Sequence, residues 1–136
     1  MAVDIVLTVN GKEPEYIEET SIRFDDEDSN GDFWFLQPFF EKLRTKTSET
    51  IDLYDDCIFE NDNLLKLKTE LIIEINRLNS ESVDKWGIHT GTQIHPVKKE
   101  IHKPVIKKEL LKKMEKWLMI TNLAIERDEK LIGIGD

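Results

Sequence analysis

Apolar and polar residues alternate over residues 2–9 of the chain, and this period of two predicts a β-strand. Asn10-Gly11 follows the strand as a strong turn signal. A shorter alternating segment, residues 21–24, predicts a second strand with its apolar side chains on one face. We expect the two strands to pair as a loose hairpin, although the connection between them is long and contains Pro14.

Three later segments repeat apolar residues at steps of three and four, which is typical of amphipathic helices. The first covers residues 33–46, with Asp32 as its candidate N-cap and Pro38 in its first turn. The second begins at residue 61 or 62 and ends at residues 79 and 80. The third is expected to follow Pro104, because proline suits a helical first turn. Its apolar stripe consists of Leu110, Met114, Trp117, Thr121 and Ala124.

Short segments between and after these helices predict further strands. They are residues 50–54, 86–90 and 131–134. A turn is expected at residues 90–92, and Pro96 is expected to end any regular element before the last helix. The order of the elements predicts one α+β domain over residues 1–136, with about five short strands in a mixed sheet packed against three helices.

The composition agrees with one globular domain. Of the 136 residues, 39% are apolar and 35% are charged, which is enough apolar material for one core. No apolar run approaches the roughly 20 residues that a membrane span needs, and the first ten residues lack the basic start of a signal peptide. The single cysteine, Cys57, excludes an internal disulfide and favours a reducing, cytoplasmic setting.

Charge is distributed unevenly along the chain, whose formal net charge is −9. Residues 1–63 contain 17 acidic and 5 basic residues, a net charge of −12, whereas residues 64–136 contain 11 acidic and 14 basic residues, a net charge of +3. An acidic half repels nucleic acids and anionic membranes and attracts basic proteins. The same charge could also serve solubility alone.

Residues 26–32 match the first half of a calcium-binding loop, with oxygen-bearing side chains at positions one, three and five and a glycine at position six. Position twelve, however, is Gln37, where such a loop needs a bidentate glutamate. The segment before the loop is also predicted as a strand and not as a helix. We therefore interpret these residues as an acidic turn at the start of the next helix.

Three histidines, His89, His95 and His102, are too widely spaced for a typical zinc site and are interpreted as solvated or core residues. A nucleophilic pair of His89 and Thr92 would also need an oriented base and an oxyanion hole, which the sequence does not indicate. We therefore expect no catalytic residue, no metal ion and no cofactor. An alternative hypothesis, a small metal- or carboxylate-dependent enzyme, would gather Asp52, Asp55, His89 and Gln93 around one pocket.

The acidic residues are interpreted instead as contacts for a basic protein partner, with Trp34 as an aromatic anchor beside them. The candidate partner-binding residues are Asp25, Asp26, Asp28, Asp32, Trp34, Asp52, Asp55, Asp56 and Glu60. The lysines of residues 98–116 lack the interleaved aromatic residues of a single-strand binder, so we expect no nucleic-acid partner. A third hypothesis is a homodimer formed through Met114, Trp117 and Thr121 of the last helix.

Four segments also resemble, as a set, a family of small, uncharacterised bacterial proteins of similar length. They are residues 34–40 (WFLQPFF), 51–56 (IDLYDD), 86–93 (WGIHTGTQ) and 133–136 (GIGD). The small, acidic character without a catalytic motif is similar in type to the immunity proteins of contact-dependent growth inhibition and other polymorphic toxin systems. That likeness implies a cytoplasmic protein that binds and neutralises a cognate toxin, and a toxin that is a nuclease needs a basic cleft for phosphates.

Overall fold

The computed structural model describes residues 1–93 and 99–135, and it has the predicted α+β architecture. The strands of this part are β1 (Ala2–Leu7), β2 (Ser21–Asp25), β3 (Cys57–Phe59), β4 (Lys85–Gln93), β5 (Lys99–Ile106) and β6 (Leu131–Gly135). The helices are α1 (Asp32–Phe35), α2 (Gln37–Thr47), α3 (Asp62–Ser80) and α4 (Lys107–Arg127), with a short 3₁₀ turn at Glu18–Thr20. None of these helices has both the length and the apolarity that crossing a bilayer requires.

Four strands form one antiparallel sheet in the order β2-β1-β6-β3. The predicted hairpin of the first two strands is confirmed, with Val3 opposite Phe24. On its other side β1 pairs with the last strand, so that Val3 also lies opposite Gly135. Strands β1 and β6, which are far apart in the sequence, are therefore neighbours in the sheet.

The inner face of this sheet and the helices enclose the core. Alternate residues of β1 lie in the core, as the sequence period predicts, with Val3, Ile5 and Leu7 buried on the inner face. Trp117 of α4 is fully buried, and its ring centroid lies 5.7 Å from that of Phe24 on β2. Helix α4 is thereby fixed against the sheet.

A separate two-stranded antiparallel sheet, β4-β5, was not predicted. Residues 90–92 lie within β4 and do not form a turn, and a bulge interrupts the pairing between His89 and Gly91. Pro104 lies in β5 opposite Gly87, and the last helix begins only at Lys107. Proline is tolerated in β5 because each strand of a two-stranded sheet is an edge strand. The break expected at Pro96 lies outside the described residues.

The structure corrects three further predictions. Every named strand pair is antiparallel, whereas a mixed sheet was predicted. The reason is that α3 leads to a strand of the second sheet and not back to a neighbouring strand of the first. Residues 50–54 form no strand, although Ile51 and Leu53 are buried as their alternation suggests. Residues 33–46 form two helices that are separated at Leu36, with Pro38 in the first turn of α2.

Candidate functional site

Two acidic segments that are far apart in the sequence lie at the same end of the four-stranded sheet. Asp25 ends β2 opposite Ala2, and residues 26–28 follow directly. Asp55 and Asp56 precede β3, whose first residue pairs with Gly133 two positions before the end of β6. The antiparallel order places both segments at the end of the sheet where β1 begins. Three strand spacings, about 15 Å in total, separate them.

We call this region the acidic end. It consists of Asp25, Asp26, Glu27, Asp28, Asp55 and Asp56. Glu27, which the sequence interpretation left out of its candidate list, is exposed between two of the predicted residues. Its place within an unbroken acidic run was the signal that could have identified it.

An ion pair and two hydrogen bonds between side chains and the backbone hold residues 25–27 of the acidic end. The carboxylate of Asp25 accepts a hydrogen bond from the backbone N–H of Glu27 at 2.8 Å. The ammonium group of Met1 lies 3.1 Å from Asp26 Oδ1, and this contact with a carboxylate raises the pKa of the ammonium group. Lys103 of β5 donates a hydrogen bond to the backbone oxygen of Asp26 at 2.9 Å, which ties the loop to the second sheet.

The second segment is fixed against the last strand. Asp56 Oδ1 accepts a hydrogen bond from the N–H of Gly135 at 3.1 Å, and Asp52 Oδ1 accepts one from the N–H of Tyr54 at 2.9 Å. A Cβ atom on Gly135 would lie only 2.7 Å from the backbone nitrogen of Asp55, so only glycine permits this close approach. Backbone N–H groups therefore hold the carboxylates of Asp52 and Asp56 in place.

Few cations neutralise the acidic end. Arg23 reaches Asp25 only at 3.8 Å and makes a closer contact, 3.0 Å, with Asp4. Within residues 1–93 and 99–135, neither Asp28 nor Asp55 has an ion-pair partner. Asp25 and Asp26 are half-buried, and the other four acidic residues of the acidic end are exposed. Negative charge concentrated at one end of the sheet gives a local potential that attracts cationic surfaces.

An apolar strip lies next to the acidic end, on the outer face of the sheet. Ile58 of β3 lies directly opposite Ile132 of β6, and Ile134 lies two residues further along the same face. Ile58 is 41% exposed, whereas Ile132 and Ile134 are half-buried. Sequence interpretation missed this strip because β3 was placed at residues 50–54, which left Ile58 without a strand.

Two of the predicted contact residues lie elsewhere. Asp32 is only 5% exposed and its carboxylate lies 3.6 Å from Nζ of Lys113 on α4. Burial raises the pKa of Asp32, against the opposing effect of Lys113. Glu60 follows β3 at the opposite end of the sheet, where it pairs with Lys130 at 3.2 Å. Asp32 also does not cap a helix through its side chain, because the N-cap of α1 is Gly31.

Trp34 lies on α1, just after the acidic loop, and is 36% exposed. Its ring packs edge-on against Phe33, with centroids 5.2 Å apart, and Phe33 belongs to the core. The indole of Trp34 therefore packs against a core residue and is partly exposed to solvent. This arrangement is compatible with its predicted role as an anchor.

The residues of the enzyme hypothesis do not line a common cavity among those described. Asp52 and Asp55 lie beside β3 in the first sheet, whereas His89 lies on β4 in the second. A cavity of about 700 Å³ lies between β2 and α4 and is lined by side chains of both charges, with Glu109 beside the lysines of α4 and Arg23 beside Glu18 and Glu19. Among the described residues, no group of three or more His, Cys, Asp or Glu side chains is placed to hold a metal ion.

The proposed dimer stripe of the last helix is part of the core. Met114, Trp117 and Thr121 are completely buried within the single chain, so they cannot form a two-fold interface without unfolding it. Cys57 is buried as well, and burial raises the pKa of its thiol to about 12, which leaves it protonated and unreactive at neutral pH.

No protein-family model, curated protein or solved structure matches the chain. The family resemblance of the four sequence segments therefore stays an expectation.

Proposed function

We propose that the protein is a non-catalytic binding protein, an immunity protein that neutralises a basic toxin by covering it with the acidic end. The observation that supports this proposal is the placement of residues 25–28 and residues 55–56 at the same end of the sheet. A merely solubilising charge has no need to lie at one end, whereas a docking surface for a cationic cleft requires it.

The chemistry of the expected partner follows from the charge of this surface. A nuclease toxin must gather cationic side chains around its substrate phosphates, and a surface rich in carboxylates is complementary to such a cleft. Opposite potentials also steer the encounter, so association is expected to be fast at low salt and to slow as salt is added.

Apolar groups beside the carboxylates supply the second component of a protein interface. Ile58 offers exposed apolar area on the sheet face next to Asp55 and Asp56, and Trp34 offers a partly exposed aromatic ring on α1, the helix that follows the other acidic segment in the chain. Interfaces combine a desolvated apolar centre with a polar rim, and tryptophan is enriched among the residues that dominate binding energy.

The proposal is tested by expressing the chain together with the product of the neighbouring upstream gene and purifying it through a tag on the chain. We expect a basic protein to co-purify in a one-to-one ratio, and to be toxic to cells only when this chain is absent. Recovery of the chain alone, beside a harmless neighbour, would contradict the immunity function.

The surface is tested with the double variant Asp55→Asn/Asp56→Asn, in which the amide oxygen at position 56 can still accept the hydrogen bond of Gly135. Association with the co-purified partner at low salt should slow by about 10-fold and depend less on salt. The matched control is Glu126→Gln/Asp128→Asn, which removes two exposed carboxylates where α4 leads into β6, at the opposite end of the sheet. Equal effects of the two variants would show that net charge, and not the acidic end, determines binding.

A further inference from the structure

Four polar side chains lie together on the β4-β5 hairpin, which has no part in the proposed function. His89 is directly opposite His102 in the strand register, and their ring centroids are 5.2 Å apart. His89 Nε2 lies 3.3 Å from Thr92 Oγ1, and His102 Nε2 lies 3.4 Å from a carboxylate oxygen of Glu100. All four residues are exposed.

The bulge in β4 explains how these residues share one face. In a regular strand, His89 and Thr92 are three residues apart and point to opposite faces. The bulge between His89 and Gly91 inserts one extra residue and so brings Thr92 round to the face of His89. On β5, Glu100 and His102 are two residues apart and share a face without any irregularity.

We propose that His89 and His102 chelate a divalent transition-metal ion, of which Zn²⁺ and Cu²⁺ are the best candidates. Zinc binds imidazole nitrogen at about 2.0–2.1 Å, so two rings on one tetrahedral ion have centroids about 5 Å apart. The histidine rings already have this separation. Binding would therefore require rotation of the rings and no movement of the strands.

Thr92 and Glu100 support this role as outer partners of the ligands. A metal-bound histidine usually makes a hydrogen bond through its other ring nitrogen, and a carboxylate is a common acceptor there. Nε2 of His89 already lies near the hydroxyl of Thr92, and Nε2 of His102 lies near the carboxylate of Glu100. The Nδ1 atom of each ring is therefore left for the metal ion. Water would complete the coordination, because the part of the chain that the structure describes provides no third protein ligand.

The choice of metal follows from the ligand type. Imidazole favours zinc, copper and nickel, whereas calcium and magnesium prefer the oxygen ligands that are abundant at the acidic end. Two properties therefore distinguish a site on the hairpin from adventitious binding of metal ions by carboxylates. They are the metal that is preferred and the residues whose replacement weakens binding.

The test is calorimetric titration of the full, tag-free chain with ZnCl₂, followed by electron paramagnetic resonance of the Cu²⁺ complex. We expect one bound ion per chain and a copper spectrum with nitrogen hyperfine coupling from two imidazoles. His89→Ala and His102→Ala should each weaken binding by about 10-fold or more, and Glu100→Gln should weaken it less. Circular dichroism of each variant checks that the fold is retained.

Two control variants make the result decisive. Asp55→Asn/Asp56→Asn removes carboxylates from the acidic end, and His95→Ala removes the histidine that lies outside the described residues. Zinc affinity should be unchanged in both. No zinc binding by the wild-type chain, equal binding by His89→Ala, or loss of binding in either control would overturn the assignment.

Discussion

At the scale of single residues, the packing of Gly133 against Cys57 shows how closely the last strand fits the sheet. Gly133 lies directly opposite Cys57, and a Cβ atom at position 133 would be 2.5 Å from the cysteine sulfur. The apparently featureless glycine near the end of the chain thus permits β6 to pair with β3, and this pairing positions Asp55 and Asp56.

Replacing Gly133 by alanine is expected to destabilise the protein by about 1–3 kcal/mol through overpacking. In a Cys57→Ala background the sulfur is absent, so the same substitution should cost about 1 kcal/mol less than in the wild type. Urea unfolding of the four proteins measures this coupling. Gly87→Ala is the control, because a Cβ atom there meets nothing within 4 Å. An equal cost of Gly133→Ala in both backgrounds would contradict the explanation.

Glu129 links the turn after β1 to the start of β6. Its carboxylate accepts hydrogen bonds from Thr8 Oγ1 at 2.6 Å and from the backbone N–H groups of Asn10 and Gly11 at 2.7 and 2.9 Å. The hydroxyl of Thr8, followed by the two backbone groups, lowers the pKa of Glu129 in the folded state. The charged form therefore stabilises the fold.

This contribution is present above the ordinary pKa of a glutamate and is lost as the pH falls through the lowered pKa of the folded state. Glu129→Gln should accordingly lower the free energy of unfolding at pH 7, and should lose less stability than the wild type on acidification. Urea unfolding between pH 7 and about pH 3 tests both expectations. Glu126→Gln, an exposed site three residues earlier, should change neither quantity measurably.

At the scale of elements, the two sheets differ in their support. Strand β1 is paired on both sides and its residues Val3 and Ile5 are fully buried. The β4-β5 hairpin has one pairing partner per strand and is held to the core chiefly by Val105, Ile88 and Trp86, whose ring stacks on Phe35 with centroids 4.8 Å apart. A two-stranded sheet has little stability of its own.

We therefore predict that the hairpin opens without unfolding of the main sheet. In native-state hydrogen exchange, the described amides of β4 and β5 should exchange at least about 10-fold faster than those of β1. Trp86→Ala should accelerate exchange in the hairpin further and leave Val3 and Ile5 almost unchanged. Uniform exchange across both sheets would show instead that they unfold as one cooperative unit.

At the scale of the whole molecule, the uneven charge of the sequence becomes an uneven charge of the surface. The acidic end holds six carboxylates at one end of the sheet, with few cations near them. Part of the basic half is used internally instead, where Lys113 and Lys116 of α4 donate hydrogen bonds to backbone oxygens of Arg23 and Glu18. Repulsion at the acidic end opposes folding.

This repulsion has a measurable consequence. Raising NaCl from 20 mM to 500 mM should increase the free energy of unfolding, because salt screens charges that are more than a Debye length apart. Asp55→Asn/Asp56→Asn should stabilise the protein by up to about 1 kcal/mol at low salt and reduce the response to salt. A stabilising effect at a proposed binding surface is expected where function and stability compete. Destabilisation by the double variant would contradict this view of the acidic end.

The sequence by itself determined the fold class and most of the elements. Alternation over residues 2–9 and 21–24 predicted β1 and β2, and three- and four-residue spacing predicted α3 and the body of α4. These predictions succeed because amphipathic period is a local property that burial on one face imposes directly. The acidic half was equally readable, since charge depends only on residue type.

Predictions from the sequence were wrong where a local pattern is weak or occurs in more than one kind of secondary structure. Residues 50–54 alternate like a strand, yet Ile51 and Leu53 reach the core from an irregular segment, and the strand forms at Cys57–Phe59. Pro104 resembled the start of a helix but lies in β5. In both cases the available pairing partner, and not the local pattern, decided the conformation.

Only the tertiary structure decided which polar residues lie together. It placed residues 25–28 and residues 55–56 at the same end of the sheet, withdrew Asp32 into the interior and placed Glu60 at the far end of the sheet. It also set His89 against His102 through a register that includes a bulge. Strand order and register arise from contacts between residues far apart in the chain, and no local period encodes them.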